Sequence, residues 1–107
     1  MDKNNKQLAV VQTTVPSRKE AQKLASLVLS KRLGACVHLI PVRSMYRWKG
    51  KPESAKEILI SVKTRRSLAA DLADLLKENH PYELPEIIIL PANAGREYAG
   101  WVCEETK

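Results

Sequence analysis

The stretch ACVHLIPVRSMYRWKGKPESAKEILISVK, residues 35–63, decides the fold. From Ala35 to Trp48 it reads as one long strand, with Cys36, Ile40, Val42, Tyr46 and Trp48 at even positions and Val37, Leu39, Arg43 and Arg47 at odd ones. Pro41 marks a bulge or an edge, because proline cannot donate to a ladder. Lys49-Gly50-Lys51-Pro52 reads as a turn. Glu53 to Lys63 then returns as a second strand, Ile58, Ile60 and Val62 pointing one way and Glu57, Ser61 and Lys63 the other, with Leu59 an apolar exception. Strands of fourteen and eleven residues are long for so small a chain. Such a hairpin overshoots its own core and invites pairing with another chain.

Working outward, Leu8 to Val15 is rich in β-branched residues and reads as a strand that Pro16 stops. Ser17-Arg18-Lys19-Glu20 has the capping-box spacing, in which serine and glutamate satisfy each other's free backbone N–H groups. Ala21, Leu24, Ala25 and Val28 follow at helical spacing. Lys31 and Arg32 suit the negative end of the helix dipole, and Gly34 suits the left-handed position beyond it, so the first helix is expected over 17–33. A second helix is expected over 67–79 on the stripe Leu68, Leu72, Leu75 and Leu76, capped by Thr64 or Ser67 and ended by Pro81. Glu86 to Leu90 reads as a short strand, Pro91 to Gly95 as a turn, and Glu97 to Glu105 as a terminal helix. The order predicts one α+β domain over residues 1–107. It is a ferredoxin-like split βαβ sandwich with an extended β2-β3 hairpin, helices on one face of the sheet, and a C-terminal helix added. Residues 1–6 are polar and expected to fray. That topology hosts many unrelated activities and settles none.

The 107 residues are 44% hydrophobic and 28% charged, which excludes wholesale disorder. A domain of this size buries only about two-thirds of its unfolded surface, so a shared oligomeric core would help it. Net charge is +6, but unevenly spread: residues 1–66 carry fifteen Lys/Arg against four Asp/Glu, and residues 67–107 carry three against eight. Such asymmetry suits a nucleic-acid face, a self-complementary contact between subunits, or solubility alone. Leu8 to Val11 is too short for a signal-peptide core, and no run is long enough to span a membrane. Cys36 and Cys103 form no CxxC pair and read as reduced thiols, so a cytoplasmic location is expected.

No Gly-x-Ser-x-Gly or phosphate-cradling loop is present, and no reaction is expected. The most informative stretch is His80-Pro81-Tyr82-Glu83-Leu84-Pro85-Glu86, where two prolines stiffen a connection that projects its side chains. His80 reads either as a metal ligand or as a cation favoured at a helix C-terminus. Tyr46 and Trp48, beside Arg47, Lys49 and Lys51, read as plugs for an oligomer interface in preference to a nucleic-acid platform. Glu57 and Lys63 share a strand face and read as a charge pair lining a polar cleft or as surface decoration. Cys36 and His38 also share a face and make at most half a metal site.

The chain resembles the CutA family of divalent-cation tolerance proteins from about Leu8 to Trp101. The residues carrying the resemblance are Pro16; Lys31-Arg32-Leu33-Gly34-Ala35-Cys36-Val37; Tyr46-x-Trp48-x-Gly50-Lys51; Glu53 and Glu57; Lys63-Thr64; His80-Pro81-Tyr82-x-x-Pro85-Glu86; and Tyr98-x-x-Trp101. The resemblance implies a compact cytoplasmic homotrimer whose long hairpins pair between subunits, linked to tolerance of copper and other divalent cations and without an established reaction. It also implies an architecture like the trimeric nitrogen-regulatory proteins, whose small ligands lie between subunits. Members described as copper-binding carry a cysteine where this chain has Thr13 and a histidine where it has Asn79; His80 is the ligand that remains. The expected function is a homotrimer binding a metal ion such as copper, or a small anionic ligand, in an intersubunit cleft. Its metal ligand would be His80, and Tyr46, Trp48, Glu57, Lys63, Tyr82 and Glu86 its walls. The alternative is a scaffold or signalling trimer that meets a protein partner without binding metal. A third, weaker reading is nucleic-acid binding through the Arg43–Lys56 hairpin, whose affinity would fall steeply with salt.

Overall fold

The computed structural model describes residues 7–107, so the expectation for residues 1–6 lies outside the described residues. The elements are β1 (Leu8–Val15), α1 (Arg18–Ser30), β2 (Cys36–Trp48), β3 (Lys51–Arg65), a 3-10 turn over Arg66–Leu68, α2 (Ala69–Glu78), β4 (Ile88–Ala92) and α3 (Arg96–Glu105). The four strands form one antiparallel sheet in the order β2-β3-β1-β4. This is the α+β arrangement that the order of elements predicts.

α1 starts as the spacing requires: Ser17 Oγ accepts a hydrogen bond from the Glu20 N–H at 3.2 Å. It stops at Ser30, earlier than the expected 33, and Arg32 rather than Gly34 takes the left-handed conformation with φ 57°. Gly34 has a different job. A Cβ there would collide with the side chains of Val62 and Val28, so glycine lets the chain leave α1 flush against β3. Neither Thr64 nor Ser67 caps α2, because β3 runs on to Arg65 and buries Thr64, while Ser67 is inside the 3-10 turn. β4 is displaced two residues from the expected 86–90 and contains Pro91. It is an edge strand, where a missing donor costs no ladder bond.

One face of the sheet holds the core. Ala9, Val11, Val15, Ile60 and Val62 pack against Ala21, Leu24 and Val28 of α1 and Leu72 and Leu76 of α2. α3 lies on the other face: Leu8, which alternation turns away from Ala9, packs with Ala99 and Val102. The added helix therefore does not join the first two. Its end is tied down by arginines, Arg65 donating to the carbonyls of Cys103 and Thr106 and to Thr106 Oγ1, and Arg32 to those of Glu104 and Glu105. Carbonyls at a helix end that lack intrahelical partners are satisfied in this way.

β1 pairs with β3 only from Ile58 to Arg65, so Val42–Trp48 and Lys51–Glu57 pair with each other alone. They form a two-stranded ribbon closed by Lys49 and Gly50, whose φ values of 52° and 81° are those of a type I′ turn. The ribbon stretches the molecule to 51 × 24 × 21 Å and its radius of gyration to 14.6 Å. A compact chain of this length has a radius of gyration of about 13 Å.

Candidate functional site

The ribbon, from Glu57 at its root to Trp48 near its tip, and the loop after α2 border a cleft of about 810 Å³. Tyr46 and Trp48 reach it from β2, and Glu57 stands on β3 on the same sheet face, opposite Val42. Pro81, Tyr82, Glu83, Leu84, Pro85 and Glu86 form the facing wall. The prolines restrict that wall's backbone, which lets an irregular segment hold a shape without ladder bonds.

A single bond ties the walls together: the Tyr82 hydroxyl donates to Glu57 Oε2 at 2.7 Å. Burial, then that bond, pushes the phenol's pKa well above its ordinary value. Tyr82 is thus a fixed, protonated donor. Behind it lies His80, its ring 5.2 Å from that of Tyr82. The Tyr82 backbone N–H donates to His80 Nδ1 at 3.1 Å, so in the neutral ring the proton sits on Nε2, which faces Thr13 Oγ1 at 2.8 Å. Burial lowers the His80 pKa, partly opposed by a backbone hydrogen bond at Thr14 and by the charges of Glu57 and Glu20.

Of the residues singled out in the sequence, Tyr46, Trp48, Glu57, Tyr82 and Glu86 meet in this cleft. His80 stands one layer behind, holding Tyr82 from inside the fold. Lys63 does not belong to the cleft. It shares a face with Glu57, but six residues of strand put about 20 Å between them. Its Nζ donates to His38 Nδ1 at 2.7 Å and to Ser61 Oγ at 3.3 Å. The Cys36–His38 pair, with Sγ 3.8 Å from Nε2, therefore has a lysine ammonium already seated on its imidazole. Sequence reasoning missed Thr14, Ser44 and Met45 as lining residues, and it named Glu83 and Leu84 only as part of the 80–86 stretch. Ser44 was findable, since it shares the strand parity of Tyr46 and Trp48. Thr14 carried no signal.

The donors do not make a ready metal centre. Among the described residues no three or more His, Cys, Asp or Glu side chains gather closely enough to hold a metal ion. Both nitrogens of His80 are already in hydrogen bonds, and its neighbour is the hydroxyl of Thr13 rather than a soft thiolate. Charge in the cleft is of one sign: its lining includes Glu57, Glu83 and Glu86 and no lysine or arginine. Arg18, Arg43 and Lys56 border a shallower hollow of about 420 Å³ beside Ser17, which Glu57 also lines.

Residues 9–105 match the family model of the CutA1 divalent ion tolerance protein. Human Protein CutA is 45% identical over 96 residues, covering 88% of this chain and 54% of that relative. The chain spans about half the length of such curated relatives. A crystal structure of CutA1 from Pyrococcus horikoshii matches the fold with a TM-score of 0.88 at 38% identity, covering 92% of this chain and 98% of that one. A structure from Archaeoglobus fulgidus, described as a periplasmic divalent cation tolerance protein CutA, gives a TM-score of 0.90 at 36% identity, covering 94% and 99%. No helix among the described residues is long and apolar enough to cross a membrane.

Proposed function

This chain belongs to the CutA1 divalent ion tolerance family, and on that premise we propose that it works as a non-catalytic, cytoplasmic homotrimer that takes a small ligand into the cleft between ribbon and loop. The observation that carries the reading is that Tyr46, Trp48, Glu57, Tyr82 and Glu86 line one cleft along the ribbon, Glu57 at its root and Trp48 toward its tip. Trimerisation is supported by two features. Among the described residues no third strand pairs along Lys51–Glu57, and none pairs with the outer edge of β2. Ile40, Ile88 and Leu90 remain exposed on the sheet face opposite the core, area that a second copy would bury.

The cleft's charge favours a cation over the small anion that the sequence reading allowed. Copper at His80 would have to displace the Nε2 proton and open the bond to Thr13, so we propose that divalent-ion tolerance does not run through a resident metal. A protein partner is the second reading, favoured by the basic tip Arg47, Lys49 and Lys51, which projects beyond the folded body.

Calorimetric titration with copper and zinc, alongside light scattering, tests this reading. The expected result is a particle of three 12.0 kDa chains whose metal uptake is unchanged in His80→Ala. Loss of tight copper uptake in His80→Ala, with the trimer intact, would restore the metal site and overturn the cleft reading. A monomer would remove the assembly.

A further inference from the structure

We propose that the hollow beside Ser17 is a second site, separate from the cleft, which binds a phosphate dianion, free or as the end group of a small phosphomonoester. Three elements each bring a cation to it: Arg18 opens α1, Arg43 stands on β2 and Lys56 on β3. Arg43 and Lys56 are direct cross-strand partners in the register. Like charges placed opposite each other repel, and such a pair is destabilising unless something neutralises it. Arg18 also stands against its local field, because the first turn of a helix is the positive end of its dipole and disfavours a cation. Two independent conflicts of charge therefore converge on one concavity, and a bound anion relieves both. Sequences break a local rule in this way mainly where a function repays it.

Strand alternation turns Arg43 and Lys56 to the side of Leu39, Ile58 and Ile60, the face on which α1 lies. The proposed trimer engages the ribbon's edges and the opposite face, so these two side chains are not on the surface given to a second copy. Glu57 borders the hollow, but alternation sends its side chain to the other face, where Oε2 accepts the Tyr82 hydroxyl. Arg43 gives one N–H to Ser54 Oγ at 3.1 Å, and a guanidinium carries five. Two guanidinium forks and an ammonium match the charge and the oxygens of a phosphate better than those of a single carboxylate. The volume of about 420 Å³ leaves room for an organic group beside the phosphate, against Pro16, Pro41 and Ile58.

The test follows the backbone amides of Arg18 and Lys19 by NMR in the full-length protein, above the phosphomonoester pKa of about 6. Inorganic phosphate and glycerol 2-phosphate are titrated in turn, with sodium chloride at matched ionic strength as the control. Both phosphates should shift these amides to saturation, and chloride should not. Tighter binding of the ester assigns the site to a phosphomonoester, and tighter binding of inorganic phosphate assigns it to the free anion. Lys56→Gln and Arg18→Gln should each weaken phosphate binding about tenfold or more. Lys56→Gln should also raise the thermal midpoint of the phosphate-free protein, because it removes the repulsion from Arg43. A lower midpoint with unchanged phosphate affinity would make Lys56 structural and overturn the proposal. Shifts that follow ionic strength whatever the salt, or no shift at all in folded protein, overturn it too.

Discussion

His80 sits between two hydrogen bonds and a ring, and its depressed pKa has a consequence for stability. The folded state favours the neutral ring, so between the lowered folded pKa and the ordinary unfolded value of about 6.5 the unfolded chain binds more protons. This contribution is complete above about pH 6.5 and is lost as pH falls through the folded pKa. Urea unfolding midpoints should decline across that window, and His80→Gln should flatten the decline there. An identical decline in the variant would show that other groups cause it. Gly34 makes a second demand at this scale. Gly34→Ala forces a methyl against Val62 and Val28, and overpacking of this kind costs about 1–3 kcal/mol. Chemical denaturation reads that loss directly; a neutral result would mean that the turn after α1 yields freely.

At the scale of elements, α3 is held by few apolar contacts and by its arginine ties. Leu8, Ala99 and Val102 make a small core, whereas α1 and α2 share the main one. Arg65 donates to the carbonyls of Cys103 and Thr106 at the end of α3, so Arg65→Met should strip both of their arginine donor and release the helix before the sheet. Amide exchange in Arg96–Glu105 should rise severalfold in that variant while β1 and β3 stay protected. Uniform loss of protection would mean that α3 is integral to the main core. The ribbon is the opposite case. It is long and regular, yet no third strand among the described residues covers it.

For the whole molecule, the ribbon and the exposed Ile40, Ile88 and Leu90 bear on the proposed trimer, whose stability would be a property of the assembly. Association removes these surfaces from water, so the thermal midpoint should rise with protein concentration. Scans over a hundredfold range of concentration test this, with a flat midpoint expected only of a monomer or of a trimer too tight to dissociate. Light scattering at the lowest concentration separates those two. Nucleic-acid binding through Arg47, Lys49 and Lys51 would instead show as affinity falling steeply with added salt.

The sequence alone determined the order of elements, the start of α1 and the length of the hairpin, because each depends on neighbours within a turn or on strand alternation. Ser17 caps the helix three residues on, and Tyr46, Trp48 and Glu57 share a face by parity. It also indicated most of the cleft, since Tyr82 and Glu86 stand out in a loop stiffened by two prolines. Strand parity cannot place a residue along the strand's length against other elements, which is why Lys63 was grouped with Glu57 and proved to serve His38. Nor does local sequence reveal that Thr13 would meet His80, 67 residues away, or that Arg65 would hold the end of α3. Those contacts exist only once the helices are packed on the sheet. Tertiary structure alone therefore decided that His80 supports Tyr82 from behind and that the cleft is lined by carboxylates and by no lysine or arginine.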